Sequence, residues 1–166
     1  MINDAERLRG ELVGLIPRLR RFARSLTRHA HDADDLVQLA LERALGKLDS
    51  WQPGSRLDSW MFTITRNAWI DETRSRTRRG EIAVTDEHLD TTPAPAAGIE
   101  DALSVQRAMA QLPEEQRSAV LMVLIEGLPY KEAATVLDIP IGTLTSRLAR
   151  GRIALQALLG DPAAST

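Results

Sequence analysis

The sequence has no cysteine among its 166 residues, which excludes disulfide bonds and thiolate metal sites and removes any clue to a redox compartment. Aromatic residues make up only 4% of the chain, so a core has to be built mainly from Leu, Val, Ile and Ala. The longest apolar run, residues 119–125, is far shorter than the roughly 20 residues of a membrane span. The charged N-terminus MINDAERLRGEL also lacks the apolar stretch of a signal peptide. These absences favour a cytoplasmic protein.

Strong net charge is absent too, but the net value of −2 hides an uneven distribution. Residues 1–80 contain fifteen basic and eleven acidic side chains, residues 81–101 contain six acidic and no basic ones, and the remainder contains six of each. An acidic strip therefore separates a basic half of the chain from a neutral half. Such asymmetry is informative about binding partners.

Helical periodicity dominates the basic half. Apolar residues recur every three or four positions from 5 to 27, and Pro17 is expected to kink or divide this helix. A second helix is predicted from about 33 to 48, with Asp32 as its N-cap and Asp34 and Asp35 in its first turn. After the turn at residues 53–54, the sequence SRLD fits a capping box that starts a third helix ending near Arg74.

The acidic strip, by contrast, has no sustained period and includes a Pro-Ala tract, so residues 80–99 are predicted to be a linker. Helical periodicity returns at Glu100. Pro113 suits the first position of a helix over 114–126, which Gly127 would end. The predicted fold class is all-α, with two small helical domains at 1–79 and 100–160, an acidic linker between them and a short tail at 161–166.

The stretch LPYKEAATVLDIPIGTLTSRLARGR, residues 128–152, predicts two helices of about eight and fifteen residues broken near Asp138, as in a helix-turn-helix. The second helix of that motif enters the major groove of DNA. Base-facing and phosphate-facing residues would be Thr143, Thr145, Ser146, Arg147, Arg150 and Arg152. The apolar residues expected to pack inward are Ile139, Ile141, Leu144, Leu148, Ile153 and Leu155. A bundle hairpin with solvated arginines is the alternative, and spacing alone leaves both open.

The third helix, SWMFTITRNAWIDETRSRTRR, combines tryptophans and hydroxyl groups with arginines. Such a surface can stack unpaired bases and hold phosphates. The alternative is that Trp60 and Trp69 belong to the core and that the arginines form a solvated helix end. For Trp60, which is in phase with Leu57 and Met61, the core interpretation is favoured.

The sequence HAHDADD brings two histidines close to several carboxylates. Because Asp is the ordinary choice at a helix start, we expect no metal site there. We find no Gly-rich phosphate loop, nucleophile elbow or paired-carboxylate arrangement in the sequence. We therefore expect a protein that is not an enzyme and that uses no cofactor.

Three segments, taken in order, resemble one family: DADDLVQLALERAL, RLDSWMFTITRNAWID with its arginine tail, and LPEEQRSAVLMVLIEGLPYKEAATVLDIPIGTLTSRLARGR. They are similar to the group 4, or extracytoplasmic-function (ECF), sigma factors of bacterial RNA polymerase. The resemblance covers residues 8–79 and 100–159. It implies a subunit that confers promoter specificity on the polymerase by recognising a minus-35 element and melting a minus-10 element.

The resemblance also implies roles for particular residues. The first domain would bind the clamp helices of the largest polymerase subunit through Asp34, Asp35, Leu36, Val37 and Gln38. Its base-capturing loop would be residues 49–55, and its minus-10 and single-strand contacts would be Trp51, Gln52, Ser55, Trp60, Thr63, Arg66, Asn67, Arg74 and Arg76. The second domain would contact the flap of the second-largest subunit and read the minus-35 element through Tyr130, Lys131, Thr143, Thr145, Ser146, Arg147, Arg150 and Arg152.

This chain departs from the family pattern at three places: Asp138 stands where relatives commonly have Gly, Thr145 where many have Lys, and Leu39 where an acidic residue is usual. Members of the family are usually held inactive by an anti-sigma factor, which is therefore an expected partner. Two alternatives are a stand-alone helix-turn-helix regulator, which would usually dimerise, and a sigma mimic that binds only an anti-sigma factor. A mimic would not need the Trp and Arg residues of 51–79.

Overall fold

The computed structural model describes residues 3–80 and 99–160. They fall into two compact units, one within residues 1–88 and the other within 89–166. Both units are built from helices, and the described ranges contain no strand, which confirms the predicted all-α class. None of the described helices is both long enough and apolar enough to span a membrane.

Four helices and one short 3-10 turn make up the part of the first unit that the structure describes. The helices are α1 (Asp4–Gly14), α2 (Ile16–Thr27), α3 (Ala30–Gly46) and α4 (Leu57–Arg78), and the 3-10 turn spans Leu48–Ser50. As predicted, Pro17 divides the first periodic stretch, because it lies in the first turn of α2, where its missing N–H costs no hydrogen bond.

Two predicted helix starts in this unit are wrong. Helix α3 begins at Ala30, so Asp32 lies inside its first turn and Asp34 and Asp35 lie beyond it, while the N-cap His29 makes no side-chain capping bond. The capping box does not form: the Ser55 hydroxyl donates to the Gln52 carbonyl oxygen at 2.6 Å instead. Helix α4 also runs four residues past Arg74, to Arg78.

The core of the first unit lies where α2, α3 and α4 pack together. The rings of Phe22 on α2 and Phe62 on α4 meet edge to face with centroids 5.5 Å apart. Small residues of α3, including Ala33, Ala40 and Ala44, are fully buried and allow close packing of the helices. This core holds α4 in place along its buried face.

The second unit consists of α5 (Ile99–Gln111), α6 (Glu114–Val120), a π-helical continuation (Leu121–Ile125), α7 (Tyr130–Leu137) and α8 (Ile141–Leu159). Pro113 immediately precedes α6 rather than occupying its first position. Gly127 has a φ of 70° after the π turn, in agreement with the predicted stop. The predicted linker, apart from its end residues Gly80 and Ile99, and the tail lie outside the described residues.

Helix α8 packs against α5, α6 and α7. It crosses α6 at Gly151, where an added Cβ would lie 2.6 Å from Cγ2 of Val120. In α6, Arg117 is buried and its Nη1 donates to the Leu112 carbonyl oxygen at 2.9 Å, which ties α6 to the end of α5. The first contact sets how closely α8 packs on α6, and the second holds α6 against the end of α5.

Candidate nucleic-acid interface

The α7–α8 pair has the geometry expected of a helix-turn-helix. Asp138 forms the turn in the left-handed conformation, with φ 54° and ψ 49°. This conformation is the one expected at a position where the family pattern commonly has Gly. Leu144 and Leu148 are buried, but Ile141 and Ile153 are 51% and 67% exposed, so the predicted inner face is only partly correct. Ile139 and Leu155 are half-buried. The buried seam of α8 is therefore narrower than the sequence suggested.

The polar residues of α8 lie mostly outside this seam. Thr145, Ser146, Arg150 and Arg152 are exposed and Thr143 is half-buried. The Thr145 hydroxyl donates to the Gly142 carbonyl oxygen at 2.9 Å. Tyr130 and Lys131 are exposed at the start of α7. All eight residues predicted for the minus-35 element thus belong to one helix pair, and none of the eight is buried.

Arg147 differs from the other arginines of α8. Its side chain is only 26% exposed, and its Nη2 lies 3.6 Å from Oε1 of Glu115 on α6. Within the described ranges, no carboxylate pairs with Arg150 or Arg152. Arg147 is therefore held by the neighbouring helix, whereas the other two are free to meet an anion.

In the first unit, the loop over residues 49–55 begins within the 3-10 turn and ends two residues before α4. Gln52 and Ser55 are exposed, and the Gln52 carbonyl oxygen accepts hydrogen bonds from both the N–H and the hydroxyl of Ser55. Trp51 is half-buried, and its indole N–H is buried without a hydrogen-bond partner among the described residues. The loop is thus a tight, folded turn with polar groups on its outer side.

One stripe of α4 combines several of the predicted contacts. Trp60, Thr63, Asn67 and Arg74 recur at helical spacing, and each is half-buried or exposed, while the opposite side is buried through Met61, Thr65 and Ala68. Trp60 is half-buried rather than in the core. The stripe offers an aromatic ring, a hydroxyl, an amide and a cation along one line.

The arginines of α4 differ in whether a carboxylate pairs with them. Arg76 pairs with Glu72 at 3.2 Å and with Asp32 of α3 at 3.8 Å, and its guanidinium lies 5.9 Å from the Trp69 ring centroid. No ion pair within the described residues engages Arg66 or Arg74. Arg76 therefore braces α4 against α3, and Arg66 and Arg74 are the better candidates for binding phosphate.

Asp58, in the first turn of α4, is the centre of a charged cluster that the sequence did not reveal. Its carboxylate accepts from Arg56 at 2.9 and 3.1 Å, from Arg18 of α2 at 3.1 Å and from the Ser59 N–H at 2.8 Å. Burial alone would raise the pKa of Asp58, but these hydrogen bonds outweigh it and lower the pKa to about 2. The group is therefore an anion at neutral pH.

The five residues predicted to bind polymerase separate into two sets. Asp34, Asp35 and Gln38 are exposed on α3, where Asp34 lies 3.4 Å from Arg20 and Asp35 lies 3.5 Å from His31. Leu36 and Val37 are each only 4% exposed. Their side chains form part of the core, so only the three polar residues of the five expose their side chains.

Sequence reasoning missed four residues that position these surfaces: Arg18, Asp58, Arg117 and Gly151. The only signal for any of them in the sequence was the pair of charged residues Arg56 and Asp58 at the start of α4, within the sequence SRLD that predicts a capping box. The burial of Arg117 and the close approach at Gly151 depend on which helices cross, and periodicity does not contain that information.

Comparison with known proteins gives two family matches, Sigma-70 region 2 over residues 14–79 and Sigma-70, region 4 over residues 102–155. The chain is 41% identical over 154 residues to the ECF RNA polymerase sigma factor EcfG of Rhodopseudomonas palustris, covering 92% of this chain and 84% of that protein. It is 38% identical over 144 residues to the ECF RNA polymerase sigma factor SigM of Mycobacterium tuberculosis, covering 86% and 71%.

A solved structure of similar fold is that of the sigma factor RpoE in complex with the anti-sigma factor NepR from Bartonella quintana. The TM-score is 0.78 at 34% sequence identity, and the match covers 95% of this chain and 99% of the other.

Proposed function

The chain belongs to the ECF RNA polymerase sigma factors of the sigma-70 family, and on this basis we propose how its two units share the recognition of a promoter. It is an alternative sigma factor, not an enzyme, that binds core RNA polymerase and directs promoter-specific transcription. The proposed division assigns residues 1–79 to the minus-10 element and core binding, 80–99 to a linker, and 100–160 to the minus-35 element.

The exposed polar surface of α8, lying beside the buried Leu144 and Leu148, carries the proposal for the minus-35 element. This element stays double-stranded, and the major groove admits one helix and presents a distinct pattern for each base pair. Thr143, Thr145, Ser146 and Arg147 would face base edges. Arg150, Arg152, Tyr130 and Lys131 would hold the flanking backbone.

For the minus-10 element we propose the loop 49–55 and the exposed stripe of α4. Taking a base out of the duplex costs a few kcal/mol, which stacking and hydrogen bonds in a pocket have to offset. Trp51, Gln52 and Ser55 would receive the base, and the stripe through Trp60, Thr63, Asn67 and Arg74, together with Arg66, would guide the separated strand. Arg76 would support this path through its bracing contacts.

We place the contact with the clamp helices of the largest polymerase subunit on Asp34, Asp35 and Gln38, which are exposed on one helix. The second unit would contact the flap of the second-largest subunit. Because both units are then tethered to one polymerase, two weak DNA sites act together, and modest affinity of the free protein for DNA is expected.

A protein partner that holds the chain inactive is also part of the proposal. The similar sigma factor RpoE was solved with the anti-sigma factor NepR. By this likeness we propose that an anti-sigma factor binds the present chain, and that the chain acts in the cytoplasm, where polymerase and promoter DNA meet.

The test is transcription by purified, sigma-free bacterial core polymerase on the DNA upstream of this protein's own gene, with and without the protein. Defined transcripts that require the protein are the expected result. Failure to yield a transcript together with failure to co-elute with core polymerase would contradict the proposal and favour a stand-alone helix-turn-helix regulator. Co-elution without a transcript would call for a different promoter.

A further inference from the structure

Asp58 joins the end of the loop 49–55 to the core of the first unit. It is the second residue of α4 and lies three positions after the loop ends, and its side chain is only 12% exposed. Two of its four hydrogen bonds come from Arg56, the residue directly after the loop, in a bidentate arrangement at 2.9 and 3.1 Å. Bidentate arginine–carboxylate pairs fix direction as well as distance.

The other side of Asp58 is connected to α2. Nη2 of Arg18 donates to Oδ2 of Asp58 at 3.1 Å, and the Arg18 guanidinium lies 5.3 Å from the centroid of the Phe62 ring. That ring packs edge to face on Phe22. The carboxylate therefore links the residue after the loop to two helices through groups that are themselves held by the core.

The preceding end of the loop is also fixed, since the Ser50 hydroxyl donates to the Lys47 carbonyl oxygen at 2.6 Å. Between the two ends, Gln52, Pro53, Gly54 and Ser55 are exposed. A loop that is held at both ends and open in the middle is suited to receive a ligand at little cost in ordering. Without the contact between Asp58 and Arg56, the loop would have to be ordered when it binds a ligand, and binding would be weaker.

We propose that Asp58 is a positioning residue for promoter opening, which holds the base-capturing loop in its receptive shape through Arg56 and Arg18 without contacting DNA itself. This inference rests on the proposed role of the loop. It predicts that the loss of Asp58 reduces discrimination between bases at the captured position, because a loop that moves accepts a wrong base almost as well as the right one.

The alternative is that Asp58 only stabilises the fold. A matched control is Asp71 on the same helix, which joins α4 to α3 through Arg43 at 2.8 Å and lies outside the loop. Asp58→Asn and Asp71→Asn make the same chemical change, and each weakens one interhelical ion pair. Only the first is connected to the loop.

The experiment compares the wild-type chain, Asp58→Asn and Asp71→Asn, each assembled with core polymerase after equal co-elution has been verified. Open-complex formation is measured on the promoter and on variants in which each base of the minus-10 element is replaced in turn. At the position of strongest discrimination, the wild type and Asp71→Asn should lose about tenfold on base replacement. Asp58→Asn should open the native promoter about three- to tenfold less well and discriminate less than about twofold.

Base discrimination by Asp58→Asn equal to that of the wild type would overturn the inference, including the case in which opening is reduced by the same factor at every base. If Asp58→Asn does not fold, Arg56→Lys provides the same test, since it keeps the charge but not the bidentate pairing. If the wild type itself neither co-elutes with core polymerase nor forms an open complex with any base, the proposed function fails, and that outcome is distinct from failure of Asp58 to act.

Discussion

Nη2 of Arg147 on α8 lies 3.6 Å from Oε1 of Glu115 on α6, so the most enclosed arginine of the helix-turn-helix faces a carboxylate of the neighbouring helix. Such a pair contributes little to folding when one partner is exposed, and Glu115 is 69% exposed. The pair matters instead for the proposed contact with DNA, because the carboxylate would both orient Arg147 and compete with a phosphate or base for its guanidinium.

Replacing Arg147 should therefore affect the minus-35 element more than opening at minus-10. We expect Arg147→Ala to weaken binding of the holoenzyme to a minus-35 duplex about tenfold, with a smaller effect on a pre-melted minus-10 template. Glu115→Gln should strengthen duplex binding about twofold, since a negative charge is removed near the DNA. Arg107→Ala, an exposed position on α5, is the control for loss of charge. Equal losses by Arg147→Ala in both assays would contradict the division of labour.

Binding to core polymerase should depend on the exposed side of α3. Asp35→Ala is expected to weaken co-elution with core polymerase about tenfold while changing the free energy of unfolding by less than about 0.5 kcal/mol. Glu42→Ala, exposed on the same helix, should change neither. Val37→Ala should instead lower stability by about 1 to 3 kcal/mol, because the Val37 side chain is buried. Unchanged core affinity in Asp35→Ala would move the contact elsewhere.

The sequence predicted the helices better than their ends. Apolar spacing placed the helices of both units and the break at Asp138, since burial of one face requires that period. The predicted helix starts were wrong at two polar residues. Ser55 donates to the Gln52 carbonyl oxygen in its own turn and does not cap α4, and Asp32 lies inside α3 and does not precede it. Such choices are decided by differences of about 1 kcal/mol, which spacing does not measure.

The candidate sites were predictable as segments but not as side-chain states. The resemblance assigned Leu36 and Val37 to a partner surface, but the structure buries both side chains. Arg76 and Arg74 look alike in sequence, yet Arg76 reaches the carboxylates of Glu72 and Asp32. Which arginine meets a carboxylate depends on the crossing of α3 and α4, a property of the packed unit.

The crossing of α6 and α8 requires a residue without a Cβ at position 151. Gly151→Ala would place a methyl group 2.6 Å from Cγ2 of Val120, a buried and stiff side chain, so we expect a loss of about 1 to 3 kcal/mol. Gly142→Ala makes the same change in the same helix with no atom within 4 Å, and it should be neutral or stabilising by up to about 1 kcal/mol. Chemical denaturation measures both. Equal stability of the two variants would show that α6 moves aside at no cost.

Acid should remove the stabilisation that Asp58 provides. Because the folded-state pKa of Asp58 is lowered to about 2, its contribution is fully present above the unfolded-state value of about 3.9 and disappears as the pH falls through 2. Allowing for partial solvent screening, the free energy of unfolding of the wild type should be about 1 to 2 kcal/mol greater than that of Asp58→Asn at pH 7. The difference, measured by denaturant unfolding at several pH values, should narrow below pH 4. A gap that is constant down to pH 3 and below would mean that the ionised carboxylate is not its source.

Asp138 occupies a left-handed conformation at the turn between α7 and α8, with φ 54°. Glycine meets no steric penalty there, and aspartate tolerates the conformation better than alanine does. The order of stability should therefore be Asp138→Gly, wild type, Asp138→Ala, with steps of about 0.5 to 1 kcal/mol. Thermal and denaturant unfolding of the three proteins measure this order directly. If alanine proved as stable as glycine, strain at the turn would be too small to affect the stability of the protein.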